Sequence, residues 1–257
     1  MLFNGLGEIS TSWAWITDGT SPTTRVCAYD RAGQAWSEDV SEPQDGVTAA
    51  GDLHAVLEQA GEEGPYVLVG HSIGGPYAMT YAAEYPEQVA GMVLLDSSSP
   101  RQLADIPAYP LQYAAMRRGL ALLPTLARVG LSRVVAPASA LPTEAAARVE
   151  AMGSTTRAFR NGRDELAVIP TVFEQAQALT TLGDLPLAVL TASENLSDEG
   201  WPAAQDRMAA LSTNHVHRVI ESSHDGLVSA EEPASASVRA ITEVVAAVRS
   251  GSPLAAD

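Results

Sequence analysis

The pentad Gly70-His71-Ser72-Ile73-Gly74 stands directly behind the apolar run Tyr66-Val67-Leu68-Val69 and ahead of a helical pattern from Pro76 to Glu84. A strand, a sharp turn and a helix in that order carry the turn's serine hydroxyl above the end of a parallel sheet. Glycines two positions either side of the serine permit the close backbone approach such a turn requires. A plain surface turn would not need so apolar a strand before it. Ser72 is therefore the candidate nucleophile.

The rest of the chain keeps the same rhythm. Short apolar runs predict strands at Thr24–Tyr29, Tyr66–Val69, Gly91–Leu95, Leu187–Thr191 and Val216–Ile220. Between the first two, Val47 to Ala60 reads as a helix whose apolar stripe includes Val47, Leu53, Val56 and Leu57. Pro202 suits the first turn of a helix over Trp201–Leu211. A last helix from Ala234 to Arg249 turns Val238, Ile241, Val244, Val245 and Val248 inward. Strands alternating with helices predict a doubly wound, mostly parallel α/β sheet covered on both faces.

The region from Ser97 to Asp184 breaks the alternation. It is helical, rich in alanine and leucine, and divided by prolines at 107, 110, 124, 137, 142 and 170. So long a connection is not a plain loop, and it reads as a helical insertion roofing the strand ends, where open parallel sheets bind ligands. Residues 1–96 and 185–257 then form the two parts of the core, and 97–184 the cap. Within the cap, Leu120, Leu122, Leu123, Leu126, Val129, Leu131, Val134 and Val135 either line an apolar acyl or alcohol pocket or simply pack the cap onto the core.

Composition narrows the partners. The formal net charge is −16 and all 15 basic residues are arginines, a balance that repels nucleic acid and anionic membrane surfaces. Cys27 is the only cysteine, which excludes an intrachain disulfide and a cysteine-rich zinc site. His215 and His217 are two apart rather than on one helical face, so no metal motif is present, and no glycine pattern fits a phosphate or dinucleotide. No apolar stretch is long enough to span a bilayer, and the first residues lack a secretory pattern, so the expected location is cytoplasmic.

A serine hydroxyl is a poor nucleophile until a base takes its proton. Of five histidines, His224 follows the last strand by the short loop Glu221-Ser222-Ser223, at the sheet end that should hold the site. His54 sits among packing residues, His71 is directed away from the neighbouring hydroxyl, and His215 and His217 suit structure or solvent. For the acid that orients His224, Asp96 closes the strand after the serine turn and is favoured. Asp198 and Glu194, in the loop after Leu187–Thr191, remain alternatives, and Asn195 stands where a reaching carboxylate is most natural. Asp225 reads as a solvated loop residue and Asp30 as a turn-fixing one, paired with Arg31 or with backbone amides. Trp13, Trp15 and Trp36 are either pocket walls or core. A developing oxyanion needs donors already aimed at it, and the backbone amides of Ile73 and Leu6, in Asn4-Gly5-Leu6-Gly7, are the candidates.

These residues resemble the α/β-hydrolase superfamily over nearly the whole chain: Arg25-Val26-Cys27-Ala28-Tyr29-Asp30-Arg31-Ala32-Gly33, Gly70-His71-Ser72-Ile73-Gly74-Gly75, Val93-Leu94-Leu95-Asp96 and Ser222-Ser223-His224. The resemblance implies an elbow serine, a late histidine, an acid after one of two strands, a variable helical cap and cofactor-free hydrolysis of an ester, lactone or amide. Relatives with an elbow aspartate open epoxides or remove halides, and Ser72 argues against both. Two departures stand out: Asn4-Gly5 replaces the usual His-Gly, and this motif lies only four residues from Met1. The chain thus resembles a family member shortened at its N-terminus, with an apolar sheet edge open to homo-oligomer formation. The expected function is hydrolysis of small or medium apolar carboxylic esters. The competing expectation is a catalytically silent relative that binds a ligand or partner in the capped cleft.

Overall fold

Five parallel strands lie side by side in chain order: β1 (Leu2–Phe3), β2 (Tyr66–His71), β3 (Val89–Leu95), β4 (Leu187–Ala192) and β5 (His215–Ile220). The structure is a computed structural model that describes residues 1–41, 44–128 and 140–255. Its helices are α1 (Ala14–Thr20), α2 (Gly46–Ala60), α3 (Gly74–Glu84), α4 (Gln102–Asp105), α5 (Tyr109–Arg128), α6 (Thr143–Gly153), α7 (Thr156–Ala176), α8 (Trp201–Ala209), α9 (Gly226–Ser229) and α10 (Glu231–Ser250). Parallel neighbours need crossover connections, and helices supply them.

Strand alternation sorts the core into two layers. Leu68, Met92, Leu94, Leu187 and Val189 pack with residues of α2, α3, α7 and α8. Val69, Val93, Leu95, Ala188 and Leu190 pack on the other face with α1, α9 and α10. Burial on both faces explains why these strands read as continuous apolar runs rather than alternating ones. Each fully buried side chain of this kind contributes about 1.5–3 kcal/mol by leaving water.

Helix α2 begins where Asp45 accepts the Thr48 amide at 2.9 Å and ends at Gly61, which adopts the left-handed conformation. Its buried stripe is Ala49, Ala50, Leu53 and Leu57, whereas Val47 and Val56 are exposed. The predicted stripe was thus half right: at 100° per residue, 47 and 56 fall outside the arc that 49, 50, 53 and 57 share. In α10, Ile241, Val244 and Val245 are buried, with Val238 and Val248 packed at the margin.

The predicted strand Thr24–Tyr29 does not form. Only Ala28 bridges to Leu2, and the Leu2 amide donates to the Cys27 carbonyl at 2.8 Å. Its sole partner strand is two residues long, so no longer ladder can grow. The segment meets the outer side of β1 at that one bridge, where Leu2 and Phe3 are buried.

Between β3 and β4 run α4 to α7. Helix α5 packs on α7, and α7 packs on α2 and α3, placing Leu166, Ile169, Val172 and Phe173 in the sheet-side core. In the stretch expected to line an apolar pocket, Leu122 is exposed and Leu120 packs against the core. Leu126, Val129, Leu131, Val134 and Val135 lie outside the residues whose side chains are described. Among the described residues, no helix is long and apolar enough to cross a membrane.

Candidate active site

Ser72 sits between β2 and α3 with φ +52°, in the left-handed region that a residue with a side chain enters only when its surroundings hold it there. Three hydrogen bonds do so. The Ser72 amide donates to the Leu95 carbonyl at 3.2 Å, and its own carbonyl accepts from Gly75 at 3.1 Å and Ser98 at 2.9 Å. The pentad glycines admit the packing: a Cβ on Gly70 would fall 2.6 Å from Gly75 Cα, and one on Gly74 would fall 2.1 Å from the Phe3 carbonyl oxygen. Any side chain at either position would drive the turn off the sheet.

Asp96 follows β3, is fully buried and has φ +39°. Its Oδ1 accepts from the Ala192 amide and from Trp201 Nε1, both at 3.1 Å. Its Oδ2 accepts from Asn195 Nδ2 at 2.5 Å and His224 Nδ1 at 2.6 Å. Four donors compensate the carboxylate for lost water. Binding the Nδ1 proton leaves His224 Nε2 as the basic nitrogen. The His224 backbone is itself held, its amide donating to Glu194 Oε2 at 2.8 Å. Asp198, by contrast, is exposed and its carboxylate has no hydrogen-bond partner among the described residues. Of the three candidate acids, only Asp96 bonds the imidazole.

The Ser72 hydroxyl is half-buried and likewise has no partner among the described residues. His224 reaches the elbow through its neighbour, the rings of His71 and His224 lying 4.7 Å apart. Hydrogen bonds within unliganded sites of this kind commonly tighten only when substrate is present.

The Asn4–Glu8 loop lies alongside. The Gly5 amide donates to Glu8 Oε2 in a short contact, the Gly7 amide reaches Glu165 Oε2 at 3.5 Å, and the Glu8 amide donates to the Gly5 carbonyl at 3.3 Å. The Leu6 amide has no acceptor among the described residues, and the same holds for Ile73 at the start of α3. Free amides at a helix start suit an anion. Asn4 braces the loop, its side chain donating to the Tyr29 carbonyl at 3.1 Å and accepting from Trp13 Nε1 at 2.8 Å.

Beneath the loop, buried Arg31 donates to the Asn4 carbonyl at 2.9 Å and pairs closely with Glu165 of α7, which Gln34 also contacts at 3.1 Å. Burial opposes the guanidinium charge, but Glu165 and the nearby tyrosines outweigh it and raise its pKa further. Burial likewise pushes the Tyr29 phenol up to about 12. A cavity of about 140 Å³ opens between this loop and helices α6 and α7, lined by Gly7, Ile9, Met152, Thr155, Ala158 and Asn161 among others.

The remaining predicted residues have structural surroundings. Asp30 fixes the turn through the Ser10 amide at 2.7 Å and hydroxyl at 3.0 Å, not through Arg31. His215 contacts the Ser212 carbonyl, and His217 bridges Asp206 and Thr191. Trp13 is core, Trp15 donates to the Ala140 carbonyl, and Trp36 is exposed. His71, His224 and Asp225 bring ligand-type atoms within 4.8 Å of one another, but both His71 nitrogens face other acceptors, so the cluster offers no free lone-pair set. Sequence reasoning missed Glu8, Trp201, Gln34 and Glu165. It read Asn195 as a missing acid, although a side chain at that position is what touches Asp96.

A family model described as alpha/beta hydrolase fold matches residues 1–140, over half of the 257-residue chain. The chain belongs to the α/β hydrolase family. An uncharacterized protein of Schizosaccharomyces pombe is 31% identical to this α/β hydrolase over 212 residues, covering 80% of this chain and 38% of that protein. The bifunctional esterase/perhydrolase DCH of Acinetobacter calcoaceticus is 36% identical over 86 residues, 34% of this chain and 31% of that enzyme. The matched part of this α/β hydrolase thus spans well under half the length of either relative. Among solved structures, a malate-bound thermophilic esterase from Thermogutta terrifontis superposes with a TM-score of 0.68 at 21% identity, covering 96% of this chain and 89% of that one. At that identity the likeness speaks to the fold.

Proposed function

We propose that this α/β hydrolase is a serine esterase of small or medium carboxylic esters that works through an acyl-enzyme. The observation that carries the reading is the 2.6 Å bond from His224 Nδ1 to buried Asp96, beside a serine held at positive φ on the strand-to-helix turn. Ser72 Oγ adds to the ester carbonyl while its proton passes to His224 Nε2. The carbonyl oxygen becomes an alkoxide between the Leu6 and Ile73 amides. When the carbon–oxygen bond to the leaving group breaks, His224 returns the proton and an alcohol departs. Water then attacks the acyl-serine, gives its proton to His224, and the acid leaves as Ser72 recovers its hydrogen. Asp96 holds the imidazole in one tautomer and balances its transient charge. The similarity to the esterase/perhydrolase of Acinetobacter calcoaceticus supports the reaction class.

The test is hydrolysis of a panel of p-nitrophenyl esters by the wild type and by Ser72→Ala, with fluorophosphonate labelling in parallel. Turnover and labelling should vanish in a folded Ser72→Ala protein. Unchanged turnover in that variant, or a folded wild type that neither labels nor turns over, overturns the proposal. The second outcome favours a silent, ligand-binding relative.

A further inference from the structure

The elbow contains a second histidine that the mechanism above does not use. His71 ends β2, is 1% exposed, and offers its two nitrogens to two different loops. Nδ1 lies 2.7 Å from Glu8 Oε1, a close charge contact set off the N–H axis. Nε2 lies 3.1 Å from the carbonyl oxygen of His224. The other Glu8 oxygen accepts the Gly5 amide. No room is left among these groups: a Cβ on Gly5 would fall 2.9 Å from Glu8 Oε2 and 3.1 Å from His71 Nδ1.

We propose that the Glu8–His71 ion pair is the positioning device of this site, tying the loop that carries the Leu6 amide to the loop that carries His224. The inference rests on the esterase reading above. The atoms facing His71 are a carboxylate oxygen and a carbonyl oxygen, and a doubly protonated ring presents an N–H toward each side. A neutral imidazole would leave one of them without a donor. The imidazolium is the form that suits both contacts, and Glu8 supplies its counter-charge. The groups facing the ring are Glu8 from the first loop and His224 and Asp225 from the loop after β5. Burial disfavours the His71 charge, but the Glu8 carboxylate, Asp225 and the His224 carbonyl together raise the pKa to about 9.

Removing either partner loosens both loops at once. Without Glu8, the Gly5 amide loses its acceptor and the imidazolium its counter-ion. Without the His71 charge, the partly exposed Glu8 carboxylate loses its counter-ion, and one of the two loop contacts loses its donor. Ser72 and Asp96 keep their own contacts in either case, so the effect falls on how the donors and the base meet the substrate rather than on the nucleophile.

The experiment compares wild type, Glu8→Gln, His71→Gln and the double variant on p-nitrophenyl butyrate across about pH 6 to 11, reading kcat and KM separately. Each single variant should lower kcat by up to about 100-fold, the scale of a misplacement near 1 Å, with a smaller change in KM. The double variant should be no worse than the worse single, because the two residues act as one unit. The wild type should lose kcat/KM along an alkaline limb near the titration of His71, and the double variant should lack that limb. If the variants fold poorly, the wild-type limb is compared with the His71 ring resonance followed by NMR. Coincidence supports the proposal, and a flat rate through that titration overturns it. Folded single variants with wild-type kcat also overturn it while leaving the esterase reading intact. Absence of Ser72-dependent turnover in the wild type overturns both.

Discussion

Asn195 donates its side-chain amide to Oδ2 of Asp96 at 2.5 Å, on the same oxygen that accepts from His224 Nδ1 at 2.6 Å. The loop after β4 therefore supplies a neutral donor, and the carboxylate comes from the end of β3. Two carboxylates so close could not both stay ionised. An amide at 195 lets Asp96 remain charged beside the imidazole.

Asp96→Asn should lower kcat by about 10⁴-fold, the loss typical when a serine triad's imidazole is held in the wrong tautomer. Asp198→Asn should leave kcat nearly unchanged, since that carboxylate is exposed and bonds nothing in the site. Steady-state kinetics of the two variants decide the matter. A larger effect from Asp198→Asn would move the acid to the other loop.

Asn195→Asp places a second carboxylate against Asp96 and adds a negative charge beside the His224 imidazole. The acidic limb of kcat/KM should move upward by about a pH unit or more. Asn195→Ala, which adds no charge, should lower the rate without moving the limb. Identical acidic limbs in wild type and Asn195→Asp would refute this account.

The Arg31–Glu165 pair is buried beneath the Asn4–Glu8 loop. Glu165→Ala strands a buried guanidinium and should cost about 3–5 kcal/mol in urea unfolding, whereas Arg31→Met with Glu165→Leu should recover much of that loss. An unaltered unfolding midpoint for Glu165→Ala would show that water already reaches the pair.

Stability should also fall at alkaline pH. His71 titrates near 9 instead of 6.5, since Glu8 and the His224 carbonyl outweigh burial. A raised histidine contributes its full stabilisation below 6.5 and loses it as pH climbs through about 9. Burial alone would raise the Glu8 carboxyl, but His71 and the Gly5 amide bring it below its ordinary 4.5, so its contribution is lost only as pH falls through that lower value. Urea midpoints taken on either side of pH 9 should drop in the wild type and stay level in the Glu8→Gln, His71→Gln double variant. A level wild-type midpoint would contradict the charged pair.

The sequence by itself determined the strands β2 to β5, the helices α2, α3, α8 and α10, the serine turn, and the exit of Asp96 and His224 at one sheet end. Each rests on a local pattern: a run of apolar residues, a 3.6-residue stripe, a pentad between strand and helix. Such patterns act over a few neighbours and survive whatever the rest of the chain does. The strand expected at Thr24–Tyr29 failed because a strand also needs a partner of matching length, which β1 does not offer. Val47 and Val56 were misplaced because apolar character alone does not say which side of α2 meets the sheet.

Tertiary structure alone decided the wiring of the site. Arg31 meets Glu165 across 134 positions, Asp96 meets Asn195 across 99 and Trp201 across 105. Glu8 meets His71 only because β1 and β2 lie side by side and end together. No periodicity encodes such pairs. They arise where parallel crossovers bring successive strand ends to one edge, and there burial makes each polar group find whichever partner the packing leaves within reach.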